Sequence, residues 1–207
     1  MNAKVKICGL TNVDDAQASV QAGADALGFM FYPPSPRCVS IKTAAEIIRT
    51  LPPFVAKVGV FVNPSEDEVR RALACGLDTL QFHGEEPPEF CRRFGLKVLK
   101  AFRIRDAGSL HGLPAYDHEA WLLDSYVAGQ PGGTGERFNW EVAVEASKFG
   151  RPIILAGGLN PGNVAEAVRK VRPYALDVSS GVESEPGKKD REKVRAFLAA
   201  AKGVSEK

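Results

Sequence analysis

Short runs of apolar, mostly β-branched residues recur along the chain, separated by stretches whose apolar positions return every three or four residues. The runs fall at residues 4–8, 26–31, 55–62, 79–83, 97–102, 121–124, 153–156 and 175–179. Several are rich in Val, Ile and Phe, and most close on Gly, Asn, Asp or Ser, so they predict strands that run into turns. Helices fill the intervals. After Pro64, Ser65 and Glu68 have capping-box spacing, Val69, Ala72 and Leu73 share a face, and Gly76 lies beyond the end. Asn160-Pro161 reads as an N-cap with proline in the first helical position, ahead of Val164, Ala167, Val168 and Val171 on one face. Val194, Phe197, Leu198 and Ala201 repeat that spacing in the last helix. Between residues 103 and 120, Gly108, Gly112 and Pro114 leave room for a short helix at most.

Regular strand–helix alternation implies a parallel sheet with helical crossovers. Eight units predict a (β/α)8 TIM barrel with a short or degenerate fifth helix. No linker or low-complexity stretch interrupts the pattern, so residues 1–207 should form a single domain. A length of 207 residues is small beside the ~250 common for this fold, a difference that short loops and the stunted fifth unit account for. A doubly wound open sheet is the alternative. It would ordinarily carry a GxGxxG turn after its first strand, which Cys8-Gly9-Leu10-Thr11 is not.

Charge and composition narrow the function classes. The net charge is +2 with no basic arm or stripe, which gives a nucleic-acid partner no support. No apolar run approaches the roughly 20 residues a membrane-spanning helix needs. The opening Met1-Asn2-Ala3-Lys4-Val5-Lys6 lacks the apolar stretch of a signal peptide. Cys8, Cys38, Cys75 and Cys91 form no CxxC pair and no cluster with His at metal-ligand spacing, so no metal is expected and a reducing, cytoplasmic setting is.

In such barrels the active site is built at the carboxyl ends of the strands. The residues there are Cys8, Asn63, His83, Asp124, Gly157-Gly158 and Ser179-Ser180-Gly181. Gly157 and Gly158 lead into a helix start, where backbone N–H groups and the helix dipole suit a phosphate, and Ser180 and Gly181 offer donors from the next loop. Tight turns alone also explain such glycines. Strand alternation puts Cys8 and Lys6 inside the barrel and Val5 and Ile7 outside; a thiol there is either a reactive group or a small buried hydrophobe. Asp124 ends an apolar run and is either a catalytic carboxyl or a cap or ion-pair partner. His83 is open between a site residue and a satisfied core histidine. A thiol and a carboxyl facing one cavity can serve as base and acid: nearby positive charge, which Lys6 can supply, activates the thiol, and desolvation keeps the carboxyl protonated.

The ordered series Val5-Lys6-Ile7-Cys8-Gly9-Leu10-Thr11, Gly23-Ala24-Asp25-Ala26-Leu27-Gly28-Phe29, Ser35-Pro36-Arg37 and Val58-Gly59-Val60-Phe61-Val62-Asn63 resembles the phosphoribosylanthranilate isomerases. Leu80-Gln81-Phe82-His83-Gly84, Leu122-Leu123-Asp124-Ser125, Gly132-Gly133-Thr134-Gly135, Leu155-Ala156-Gly157-Gly158-Leu159 and Asp177-Val178-Ser179-Ser180-Gly181-Val182-Glu183 continue the match across nearly the whole chain. The resemblance implies an Amadori rearrangement in tryptophan biosynthesis, on a small phosphosugar–anthranilate substrate, with no metal or organic cofactor. It makes Asp124 the general acid and Cys8 the general base, and sets Arg37 to reach the anthranilate carboxylate. It puts His83 and Asp177 in the substrate pocket, although Asp177 is equally suited to pair with Lys6. It makes residues 132–135, with Gly133, a cover over the phosphate bound by Gly157, Gly158, Ser180 and Gly181. Phe82 departs from the leucine common in relatives and bears on packing below His83. Another phosphosugar barrel, such as an epimerase or a Schiff-base aldolase, is the rival enzyme; its reactive lysine would have to be Lys100, which lies short of the fifth strand's end. A binding barrel without chemistry is the non-enzymatic rival. Monomer and homodimer are both compatible with the sequence.

Overall fold

Eight parallel strands close into a barrel in chain order, the last pairing with the first. The computed structural model describes residues 3–125 and 140–204. The strands are β1 (Lys4–Cys8), β2 (Ala26–Met30), β3 (Ala56–Phe61), β4 (Thr79–Phe82), β5 (Lys97–Ile104), β6 (Ala120–Ser125), β7 (Ile153–Leu155) and β8 (Ala175–Val178). Each matches an apolar run of the sequence, shifted by a residue or two at its ends. Closure leaves none of the eight barrel strands as a free edge.

Helices α1 (Val13–Gln21), α2 (Ile41–Ile48), α3 (Glu66–Leu73), α4 (Pro88–Cys91), α5 (Trp140–Ser147), α6 (Val164–Val171) and α7 (Arg191–Lys202) surround the barrel. The capping box of α3 is present: Ser65 accepts from the Glu68 N–H while the Glu68 side chain accepts from the Ser65 N–H. Between β5 and β6 only two 3-10 turns form, Ala107–Leu110 and Leu113–Ala115, as Gly108, Gly112 and Pro114 require.

One helix start differs from expectation. α6 begins at Val164, and Asn160-Pro161 belongs to the preceding turn. Asn160 Oδ1 accepts from the Gly162 N–H, and Asn163 Oδ1 accepts from the Asn160 N–H. These local side-chain bonds hold a turn where an N-cap and a first helical residue were expected. A second element had no signal strong enough to predict it: β9 (Glu183–Glu185) and β10 (Lys188–Lys189) form an antiparallel hairpin after β8.

Alternation along the strands divides the interior into two layers. Val5, Ile7, Leu27, Phe29, Leu80, Phe82, Leu123, Leu155 and Leu176 face outward into the large core beneath the helices. Inside the barrel the apolar packing is thinner, made by Ala101, Leu122, Ile154 and Ala156 on one side and by Cys8, Val58 and Val60 on the other. Polar side chains share that inner space. Phe82 lies in the outer layer, in ring contact with Phe61, Phe90 and Phe94. It therefore packs the shell beside β4, on the face of the strand opposite Gln81.

Candidate active site

A cavity of about 310 Å³ opens at the carboxyl ends of the strands. Cys8, Arg37, His83, Asp124, Gly157, Gly158, Asp177, Ser180 and Gly181 all line it. Of the site residues expected from the sequence, Gly133 falls outside the described residues, and Asn63 does not line the cavity: its N–H donates to Glu86 and its side chain accepts from the Glu85 N–H.

Cys8 reaches the cavity from the end of β1 because its neighbour across the ladder is Gly28. A Cβ at Gly28 would lie 2.7 Å from Cys8 Sγ, so only glycine leaves room for the sulfur. Two residues earlier on the same face, Lys6 donates to Asp177 Oδ1 at 2.7 Å, with both side chains buried. Burial disfavours the Lys6 ammonium, but Asp177 and then Cys8 outweigh it and the pKa is pushed up to about 12. Lys6 serves both roles left open for it: it pairs with Asp177 and pulls the Cys8 pKa down. Burial is the stronger influence on the sulfur, and together with Asp177 it raises the thiol above its ordinary value.

Asp124 ends β6 on the opposite wall, 4% exposed. His83 Nε2 lies 3.2 Å from Asp124 Oδ2, and His83 Nδ1 lies 3.0 Å from Gln81 Nε2. An amide nitrogen only donates, so in this arrangement Nδ1 accepts, Nε2 carries the hydrogen and donates to Asp124. Gln81 is one of the residues sequence reasoning missed. It is almost fully buried, its inward position on β4 followed from alternation with His83, and its Oε1 has no hydrogen-bond partner among the described residues. Arg103 is another: it sits beside Asp124 across the β5–β6 ladder and lines the cavity.

Arg37 lines the rim with its guanidinium held by Glu183 through Nε, at 2.9 Å from Oε1, and Nη2, at 2.7 Å from Oε2. The family resemblance pointed to Arg37, and no sequence signal pointed to Glu183 as its partner. Lys100, the lysine an aldolase reading would need, points away from the cavity. It donates to Glu86 at 3.0 Å and to the carbonyls of Phe82 and Gly84, buried under the α4 side of the barrel. Among the described residues no three His, Cys, Asp or Glu side chains converge as a metal site, and no helix is long and apolar enough to cross a membrane.

Against known proteins, residues 5–200 match the family model for N-(5'-phosphoribosyl)anthranilate (PRA) isomerase. The chain belongs to the PRA isomerase family. Its sequence is 59% identical over 203 residues to the PRA isomerase of Geobacter sp. (strain M21), covering 98% of this chain and 99% of that one. It is 57% identical over 203 residues to that of Citrifermentans bemidjiense, covering 98% of each. Among solved structures it superposes on the PRA isomerase of Thermotoga maritima with a TM-score of 0.92 at 43% identity, covering 98% of this chain and 100% of that one. A PRA isomerase solved with reduced 1-(o-carboxyphenylamino)-1-deoxyribulose 5-phosphate matches with a TM-score of 0.88 at 42% identity, over 98% of this chain and 100% of that one. Family membership carries the fold, and the activity is isomerisation of PRA in tryptophan biosynthesis.

Proposed function

We propose that this PRA isomerase works by general acid–base catalysis between Asp124 and Cys8, across the cavity that both line. Asp124 donates a proton to the ribose ring oxygen as the C1–O bond breaks. The nitrogen lone pair forms the C1=N bond of an iminium. The Cys8 thiolate then removes the C2 proton, the C1=C2 bond of an enolamine forms, and the nitrogen recovers its pair. Tautomerisation moves the hydroxyl hydrogen from O2 to C1 and yields the ketone. The substrate nitrogen is the electron sink, so the chemistry calls on no cofactor.

The environment of each group suits its part. The developing iminium adds a positive charge to that of Lys6 beside the sulfur, and both favour the thiolate that burial and Asp177 disfavour. Asp124 Oδ2 lies 3.2 Å from His83 Nε2, so the acid of the pair is held in place by an imidazole that lines the same cavity. Gly157 and Gly158 adopt φ of 79° and 64°, a left-handed pair that turns the chain at the end of β7. With Ser180 and Gly181 they form the end of the cavity assigned to the 5'-phosphate. Arg37 at the rim takes the anthranilate carboxylate. His83 and Asp177 complete the walls, Asp177 chiefly as the partner of Lys6.

The observation that carries this reading is that sulfur and carboxyl come from opposite walls, β1 and β6, to one cavity. The decisive assay follows loss of PRA fluorescence with purified protein and no added metal. Wild-type protein should turn over, and Cys8→Ala and Asp124→Ala should each bind a product analogue while turning over about 10²–10⁴-fold more slowly. Normal activity in either variant removes that residue from its role.

A further inference from the structure

The β9–β10 hairpin has no part in the chemistry above, yet its side chains converge on Arg37. Glu183 sits at the hairpin's start, 8% exposed, with both carboxylate oxygens on the arginine. Lys189, across the hairpin, donates to Glu183 Oε1 at 2.7 Å, and the Gly187 N–H donates to the same oxygen at 3.3 Å. The hairpin is itself fastened to the barrel: the Lys189 N–H donates to Asp15 of α1 at 2.8 Å, and Thr11 donates to the Gly187 carbonyl. From the other side, the Arg37 stem lies over Gly9, where a Cβ would come within 2.7 Å of Arg37 Cδ. Stem and head are therefore both held by the protein itself.

A guanidinium has five N–H donors and two edges that can offer a parallel pair. Glu183 occupies the edge formed by Nε and Nη2. The remaining edge, Nη1 with the second hydrogen of Nη2, is the one left for a planar anion at the cavity rim. We propose that Glu183 is a positioning residue that fixes Arg37 edge-on to the cavity, so that the enzyme selects a substrate bearing a carboxylate on its aromatic ring. This rests on the reading of Arg37 as the carboxylate-binding residue.

Two substrates separate the possibilities: PRA, and the N-(5-phosphoribosyl) derivative of aniline, which lacks the carboxylate. Steady-state kinetics on wild type, Arg37→Ala, Glu183→Gln and Glu183→Asp give kcat and KM for each. Glu183→Gln should raise KM for PRA at least tenfold with kcat within about threefold, and change kcat/KM for the aniline substrate less than twofold. Glu183→Asp, which keeps the charge on a stem one carbon shorter, should show the same selective loss and stands in if Glu183→Gln fails to fold. An equal loss on both substrates, or no loss on PRA, overturns the positioning role while leaving Arg37 untouched. If Arg37→Ala itself loses equally on both, the carboxylate reading fails and the inference with it.

Discussion

At the scale of single residues, the candidate site is a set of groups whose ordinary behaviour is altered by one or two neighbours. Cys8 is the clearest. Its thiol is raised by burial and lowered by Lys6, with burial stronger, so the pH dependence has a definite sign. A raised pKa means the thiolate, and hence base catalysis by free enzyme, grows as pH increases toward and beyond the ordinary value near 8.5. Replacing Lys6 by Met removes the charge that pulls this pKa down. The acid limb of the kcat/KM profile should then move to higher pH, and a limb unmoved by Lys6→Met would show that Cys8 is not the titrating base. The same substitution strands Asp177 without its partner in a buried site, which should cost about 3–5 kcal/mol in urea denaturation. Losing the acid or the base outright should lower kcat by about 10²–10⁴ each, the usual contribution of a positioned proton-transfer group.

Single elements set where those groups point. β2 shapes the candidate site by an absence: Gly28 faces Cys8 across the ladder and has no Cβ to displace the sulfur. Gly28→Ala should lower kcat with little change in KM, since the substrate pocket's rim is untouched. An unchanged kcat would mean the sulfur has room to spare. On β4 the alternation works in both directions. Gln81 and His83 face the cavity, whereas Phe82 faces the shell and holds β4 against Phe61, Phe90 and Phe94. Phe82→Ala should cost about 3–5 kcal/mol of unfolding free energy, as for other buried phenylalanines, while KM stays near the wild-type value. A large KM change would place Phe82 under the site after all. The β9–β10 hairpin turns a loop into a brace, because Asp15 and Thr11 at the start of the first helical unit hold its far end.

Across the whole molecule, closure of the barrel pairs residues far apart in sequence, and these pairings set the response to pH. β8 meets β1, which places Asp177 opposite Lys6. Glu183 reaches Arg37 from the other end of the chain. Burial opposes ionisation of Glu183, but Arg37 and Lys189 overcome it and hold its carboxyl below the ordinary range. A carboxyl depressed in the folded state contributes stability above its unfolded value, near 4.3 for glutamate, and loses it as pH falls through the folded value. The urea midpoint should therefore fall as pH drops below about 4, and less steeply in Glu183→Gln. The Lys6 ammonium gives the opposite limb. Its folded value of about 12 exceeds the ordinary 10.5, so its contribution is complete below 10.5 and disappears as pH rises toward 12. Stability flat across that alkaline window would show that the Lys6–Asp177 pair does not form in solution.

The sequence by itself determined the architecture, because periods of two and of three to four residues are local properties that each segment reports without its neighbours. Eight apolar runs, the Ser65–Glu68 cap and the glycines and proline that stunt the fifth unit were legible for that reason. Strand ends pointed to Cys8, His83, Asp124 and the Gly157-Gly158 turn, and the ordered motifs pointed to the family. At Asn160 the local signal misled, since turn bonds and a helix cap draw on the same side-chain chemistry. Only the tertiary structure decided which charges meet. That Lys6 pairs with Asp177, that Arg37 is clamped by Glu183, that Gln81 backs His83 and that Gly28 makes room for Cys8 all depend on strand register and barrel closure. Those contacts join residues that no periodicity relates, and the free energy of an ion pair depends on the burial and partners that folding supplies.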